Sequence, residues 1–208
     1  MVNIIITAYA GLEHAFEADH LLAVNNLVTN RHKISDAAKD GVYWGIGHTT
    51  TLFVIGLLII ALKYNIDERM FSYFEACVGG MLVLLGVWRL VRLFVSKKKT
   101  ENSIVEKKNT HQHKAALGVG MVHGLAGSGA LVVLVLTQMK TIWDSLFYIV
   151  IFGLGSIIGM FLASALFSIP FSRKYLKSEM LQVVLIVLSS VLCIAYGVYV
   201  IYENLAPK

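Results

Sequence analysis

The residues best equipped for chemistry stand together near the start of the chain, in His14-Ala15-Phe16-Glu17-Ala18-Asp19-His20. Two imidazoles and two carboxylates fall here inside a stretch that otherwise reads as membrane-spanning. Ionisable side chains are costly in hydrocarbon, so such a cluster is a functional-site hypothesis by default. Imidazole with carboxylate is also a donor set for divalent transition metals. His48, in Gly47-His48-Thr49-Thr50-Thr51, and His123, ahead of Gly124, Gly127, Ser128 and Gly129, add further imidazoles. Four of the 7 histidines thus fall in apolar stretches, more concentrated than scattered structural histidines would be. The alternative for each is a hydrogen-bonded network that only ties helices together.

Geometry limits what one helix can do with these residues. At about 100° per residue, Glu13, Glu17 and His20 share a face, whereas His14 points about 120° from His20 and about 140° from Asp19. A straight helix cannot aim His14, Asp19 and His20 at one ion. Either the helix is distorted near Ala15–Ala18, although that segment contains neither Gly nor Pro, or other helices complete separate sides of the site. Broken helices that line a site are a known transporter device.

The elements that must position these groups are membrane helices. The chain is 57% hydrophobic and 15% charged, with a mean hydropathy of +0.70. Soluble domains carry roughly 25% charged residues. Apolar runs of bilayer-spanning length recur, predicting six spans over about 3–28, 40–62, 70–94, 115–138, 142–168 and 180–203. No signal peptide is expected. Most of the 18 basic residues, among them Arg31, Lys33, Lys39, Arg89, Arg92, Lys97, Lys98, Lys99, Lys114 and Arg173, fall in the loops and helix ends of one side. The positive-inside rule makes that side cytoplasmic and both termini external, in a multi-pass protein of the cell (inner or plasma) membrane. The net charge of +5 therefore needs no nucleic-acid partner. Cys77 and Cys193 fall in the spans and read as small hydrophobes.

Two halves of the chain resemble each other. Gly11-Leu12-Glu13-His14 aligns with Gly120-Met121-Val122-His123, Trp44-Gly45-Ile46-Gly47-His48 with Phe152-Gly153-Leu154-Gly155-Ser156, and Gly86-Val87-Trp88 with Gly197-Val198-Tyr199, at a near-constant offset. Three helices per half would make the second enter from the opposite side. The expected architecture is an all-α polytopic membrane protein of six transmembrane helices in two inverted three-helix repeats, with a site near the midplane between them. Residues 1–95 form the first repeat with the His/Asp motif, 96–114 a polar cytoplasmic linker, and 115–208 the second repeat.

The other intramembrane polar groups have two readings each. Glu13 and Glu17 line an outer vestibule that attracts cations. Glu75 either snorkels to the interface or faces the cavity. The glycine-rich run from Gly124 to Ala130 is a close-packing surface or an unwound turn exposing carbonyls and Ser128. His111-Gln112-His113 is a solvated tail segment or a metal hand-over point.

His14-x4-Asp19-His20 in a membrane helix resembles the signature of the nickel/cobalt transporter family, and Gly47-His48-Thr49-Thr50 resembles that family's second motif. The stretch from Val122 to Ala130 is similar to the related branch of urease-accessory-type membrane proteins. The likeness spans most of the chain. Glu13 stands where the classical transporters have a basic residue, and their extra leading helix and later acidic motifs have no counterpart here. The resemblance implies that His14, Asp19 and His20 hold or select a metal, with His48 as a second-helix partner.

Together these features predict a secondary transporter rather than an enzyme. Its substrate is a divalent transition metal, Ni²⁺ or Co²⁺, and it has no prosthetic group. His14, Asp19, His20, His48 and His123 form the metal site, with Glu13, Glu17, Thr49, Glu75 and Ser128 in secondary or vestibule positions. Partners are membrane lipid and the ion. A soluble partner at loop 96–114 and a homo-oligomer stay open, as do export, another metal such as Fe²⁺ or Mn²⁺, a membrane metalloenzyme and a metallocentre assembly factor.

Overall fold

The structure is a computed structural model that describes residues 3–28, 31, 33–62, 68–96, 105–126, 141–171 and 178–206. These residues form seven α-helices and no strand. They are α1 (Ile4–His14), α2 (Ala18–Val28), α3 (Ile34–Leu62), α4 (Glu68–Ser96), α5 (Val105–Ala126), α6 (Ile142–Ser168) and α7 (Glu179–Leu205). A short 3₁₀ turn, Ile169–Phe171, follows α6.

Local chemistry sets several of the starts. Asn3 accepts a hydrogen bond from the Ile6 amide, Thr141 from the Asp144 amide and Ser178 from the Leu181 amide, so each occupies one of the orphan donors of a helix N-terminus. Four segments are long and apolar enough to cross a bilayer: Ile34–Ile59, Arg69–Val95, Ile142–Phe171 and Met180–Leu205. Their outer faces carry Val54, Leu57, Leu84, Val91, Leu162 and Leu188, all exposed apolar side chains as lipid contact requires.

Two expected elements differ from the sequence reading. The span expected over 3–28 is two helices of 11 residues each, so neither half crosses a bilayer alone. The linker expected over 96–114 becomes helix α5 at Val105, which extends the helix of the fourth expected span into the polar segment. Residues 127–140, the rest of that span, lie outside the described residues, and so does Ser128.

Packing concentrates on a few helix pairs. α3 lies against both α5 and α6, α4 against α7, and α1 against α6. The short α2 is surrounded by α3, α4, α6 and α7. Small residues make these approaches close. A Cβ on Gly11 would run into the backbone carbonyl of Phe152, and one on Gly120 into that of Trp44. The core gathers around α2: Ala23, Val24 and Val28 meet Trp44, Leu82, Met160 and Cys193. Of the two free cysteines, Cys193 is buried there, with its thiol donating to the Leu82 carbonyl, whereas Cys77 is exposed on α4.

Candidate metal centre

The break between α1 and α2 positions the site. α1 ends at His14, and Ala15–Glu17 turn back on themselves: the Phe16 amide donates to the Glu13 carbonyl and the Glu17 amide to the His14 carbonyl, three residues back in each case. Such tight bonds close off a helix that goes no further. α2 restarts at Ala18 with Asp19 in its first turn, where a carboxylate complements the positive helix end. Asp19 Oδ1 accepts from the His20 amide at 2.8 Å. In a straight helix six residues span about 9 Å. The break instead brings the His14 and His20 rings to 4.5 Å, centroid to centroid. It also leaves the carbonyl end of α1 beside His14, a partial negative charge that favours a cation.

Other helices complete the cluster. His48 on α3 lies 5.3 Å from His14 and 5.4 Å from His20, and His123 on α5 lies 4.6 Å from His20. His14 is 2% exposed and His20, His48 and His123 are fully buried. One ligand atom each from His14, His20 and His48 falls within 4.8 Å of the others, and the same holds for Asp19, His20 and His123. Tertiary folding thus brings His14, Asp19, His20, His48 and His123 into one place.

Most nitrogens of these four rings have no hydrogen-bond partner. His20 Nδ1 donates to Asp19 Oδ1 at 3.0 Å. His20 Nε2, His14 Nε2, both nitrogens of His48 and His123 Nδ1 are buried with no hydrogen-bond partner. His14 Nδ1 lies 2.9 Å from Glu17 Oε1, and His123 Nε2 lies 3.5 Å from Asp19 Oδ2, but neither is aligned as a hydrogen bond. A buried polar atom left unpaired costs about 1–3 kcal/mol, so this arrangement is expensive unless the lone pairs take a ligand. The residues fit a divalent transition metal: neutral imidazoles supply the donors, and Asp19 supplies a charge and fixes the His20 tautomer.

The secondary positions divide. Glu17 is exposed, with its carboxylate 2.9 Å from the buried His14 ring. Glu13 is exposed on α1, and Glu75 is half-buried on α4; neither joins the cluster. Thr49 Oγ1 donates to the Gly153 carbonyl at 3.2 Å, so it ties α3 to α6. Gly124 packs closely on the His48 backbone, in keeping with the close-packing reading of that glycine.

Two features escaped the sequence reading. Trp44, fully buried, stacks on His20 at 5.6 Å and lies 5.4 Å from His123, while Phe152 lies 5.4 Å from His14. Further along α3, Asp40 is held by Arg31 Nε at 2.5 Å, by Arg31 Nη2 at 2.7 Å and by His113 Nδ1 at 2.6 Å. Arg31 and Asp40 are buried and His113 is half-buried, so His113 is not a solvated tail residue. The signal was the spacing: Asp40, Trp44 and His48 stand four residues apart on one face of α3.

A family profile described as the cytochrome C biogenesis protein transmembrane region matches residues 20–199. The urease accessory protein UreH of Bacillus sp. (strain TB-90) is 32% identical over 204 residues, 93% of this chain and 87% of that protein. The chain belongs to that family and, with UreH, to the nickel/cobalt transporter superfamily. Other superfamily relatives match over shorter stretches. The nickel transporter NixA of Staphylococcus aureus is 35% identical over 100 residues, 42% of this chain and 29% of that protein. The nickel transporter NicT of Mycobacterium tuberculosis is 30% identical over 107 residues, 44% of this chain and 28% of that protein. These superfamily members are named as transporters and an accessory protein, not as catalysts. No solved structure matches.

Proposed function

We propose that this chain is a secondary transporter of a divalent transition metal, Ni²⁺ or Co²⁺, and that the ion binds among His14, Asp19, His20, His48 and His123. The observation that carries the reading is the set of buried imidazole nitrogens without hydrogen-bond partners, gathered around one carboxylate at a break in a membrane helix. A structural network would have paired those atoms. The nickel transporters among the relatives support the choice of metal.

Alternating access between two inverted repeats is the mode of transport we infer, with α1, α3 and α4 equivalent to α5, α6 and α7. Reciprocal packing supports it. Gly11 abuts Phe152 as Gly120 abuts Trp44. Gly45 meets Ile157 as Gly153 meets Thr49, and Gly79 meets Gly197 in both directions. Gly86 likewise meets Ser190 and Ile194 as Gly197 meets Gly79 and Val83. The basic loops put both termini outside.

Total cellular metal, measured by mass spectrometry in cells expressing the wild type or His20→Ala over a panel of added divalent ions, tests the reading. A wild-type-specific rise in Ni²⁺ or Co²⁺ identifies import and a fall identifies export. No difference for any metal defeats the transport reading. The name of the UreH relative motivates a second one, a nickel-delivery role in metallocentre assembly. Under that reading, metal content stays level while maturation of a nickel enzyme depends on the chain.

A further inference from the structure

The cluster contains two ligand groups, not one. His14, His20 and His48 form the first, and Asp19, His20 and His123 the second. Among the described residues, His20 alone belongs to both. Its ring lies 4.5 Å from His14 and 4.6 Å from His123, an almost equal reach to either side. Only one of its nitrogens is available at a time. Nδ1 lies 3.0 Å from Asp19 Oδ1 and Nε2 is buried without a partner, and a neutral imidazole has a single lone pair, on one or the other of these nitrogens.

One lone pair serves one metal ion. We propose that the centre is two overlapping, mutually exclusive positions for a single cation, with His20 as the shared ligand across which the ion passes from one to the other. This rests on the metal-transport reading above. The two positions differ in charge. Three neutral imidazoles leave a buried divalent ion uncompensated, whereas the Asp19 carboxylate cancels part of its charge. The ion therefore rests at Asp19, His20 and His123. His14 and His48 form the transit position, and Glu17, exposed and 2.9 Å from His14 Nδ1, stands at its solvent side.

The test uses the purified full-length chain in detergent with Co²⁺ alone as the probe, read by stoichiometry and by the visible d–d absorption spectrum, alongside transport in proteoliposomes. The wild type is expected to bind one Co²⁺ per chain. His14→Gln and His48→Gln keep the wild-type spectrum and hold affinity within about tenfold, yet lose transport. Asp19→Asn and His123→Gln share a second, different spectrum. His20→Gln loses binding by more than about 100-fold. Each position has two ligands of its own, so a variant that fails to fold is replaced by its partner. Equal loss of binding in all five variants overturns the division into two positions. Two Co²⁺ ions per wild-type chain overturn their mutual exclusion. No Co²⁺ bound by the wild type overturns the metal reading itself, and the two positions with it.

Discussion

Replacing His48 by leucine should stabilise the metal-free protein while abolishing transport. The His48 ring is fully buried, and neither of its nitrogens has a hydrogen-bond partner. At about 1–3 kcal/mol for each unpaired polar group, the two nitrogens together cost about 2–6 kcal/mol. Leucine has no polar atoms and is close to imidazole in bulk, and imperfect repacking gives back about 1–2 kcal/mol. Near the middle of both ranges the net gain is about 2 kcal/mol. For a chain of this size each kcal/mol moves the melting temperature by about 2–4 °C, so His48→Leu should melt about 4–8 °C above the wild type. The assay is thermal unfolding of both proteins after exhaustive chelation, in the same detergent, with cell metal content measured in parallel. Such a trade of stability against activity is the mark of a binding site held ready for its ligand. If His48→Leu melts several degrees below the metal-free wild type, the nitrogens are already satisfied, by ordered water or by each other, and the energetic case for an ion site fails.

Three further outcomes follow from the same geometry. Asp40→Ala removes the carboxylate that holds the buried Arg31 guanidinium and should cost about 3–5 kcal/mol in thermal or denaturant unfolding, whereas Arg31→Leu combined with Asp40→Leu should recover most of the loss; equal damage in both would show that the ion pair is not what matters there. Gly120→Leu drives a side chain into the Trp44 carbonyl, costs about 1–3 kcal/mol or more and displaces His123, so Co²⁺ affinity should fall; Gly118→Leu, with open space around its Cβ, should leave both melting and affinity unchanged. Metal binding should weaken as the pH falls, because ligating imidazoles must be neutral and protons compete for their lone pairs; Co²⁺ affinity that stays flat down to the pH at which the protein unfolds would exclude histidine ligation.

Much of this protein was legible in its residues. Apolar runs of bilayer length gave the long helices, because the hydrocarbon core fixes how long a span must be. α6 and α7 begin and end within about two residues of the expected bounds, and Thr141 and Ser178 cap their starts. The histidines and Asp19 stood out because ionisable groups are rare in such runs. The 100° spacing also showed that a straight first helix could not serve His14, Asp19 and His20 together.

What the residues could not decide was how that conflict resolves. Nothing between Ala15 and Glu17 is a helix breaker by type; the turn there is held by the packing of α1 on α6 and of α2 among α3, α4, α6 and α7. Local propensity is a small term, and burial across helices outweighs it. For the same reason the polar segment from Val105 to Lys114 is helical: Asp40 and Arg31, distant in sequence, give His113 a buried partner that a solvated loop lacks. The sequence by itself determined which groups are present and that they fall in apolar stretches. Only the tertiary structure decided that they meet, that Trp44 and Phe152 wall them in, and that their nitrogens are left unpaired, because those are properties of distances between helices and not of spacing along one.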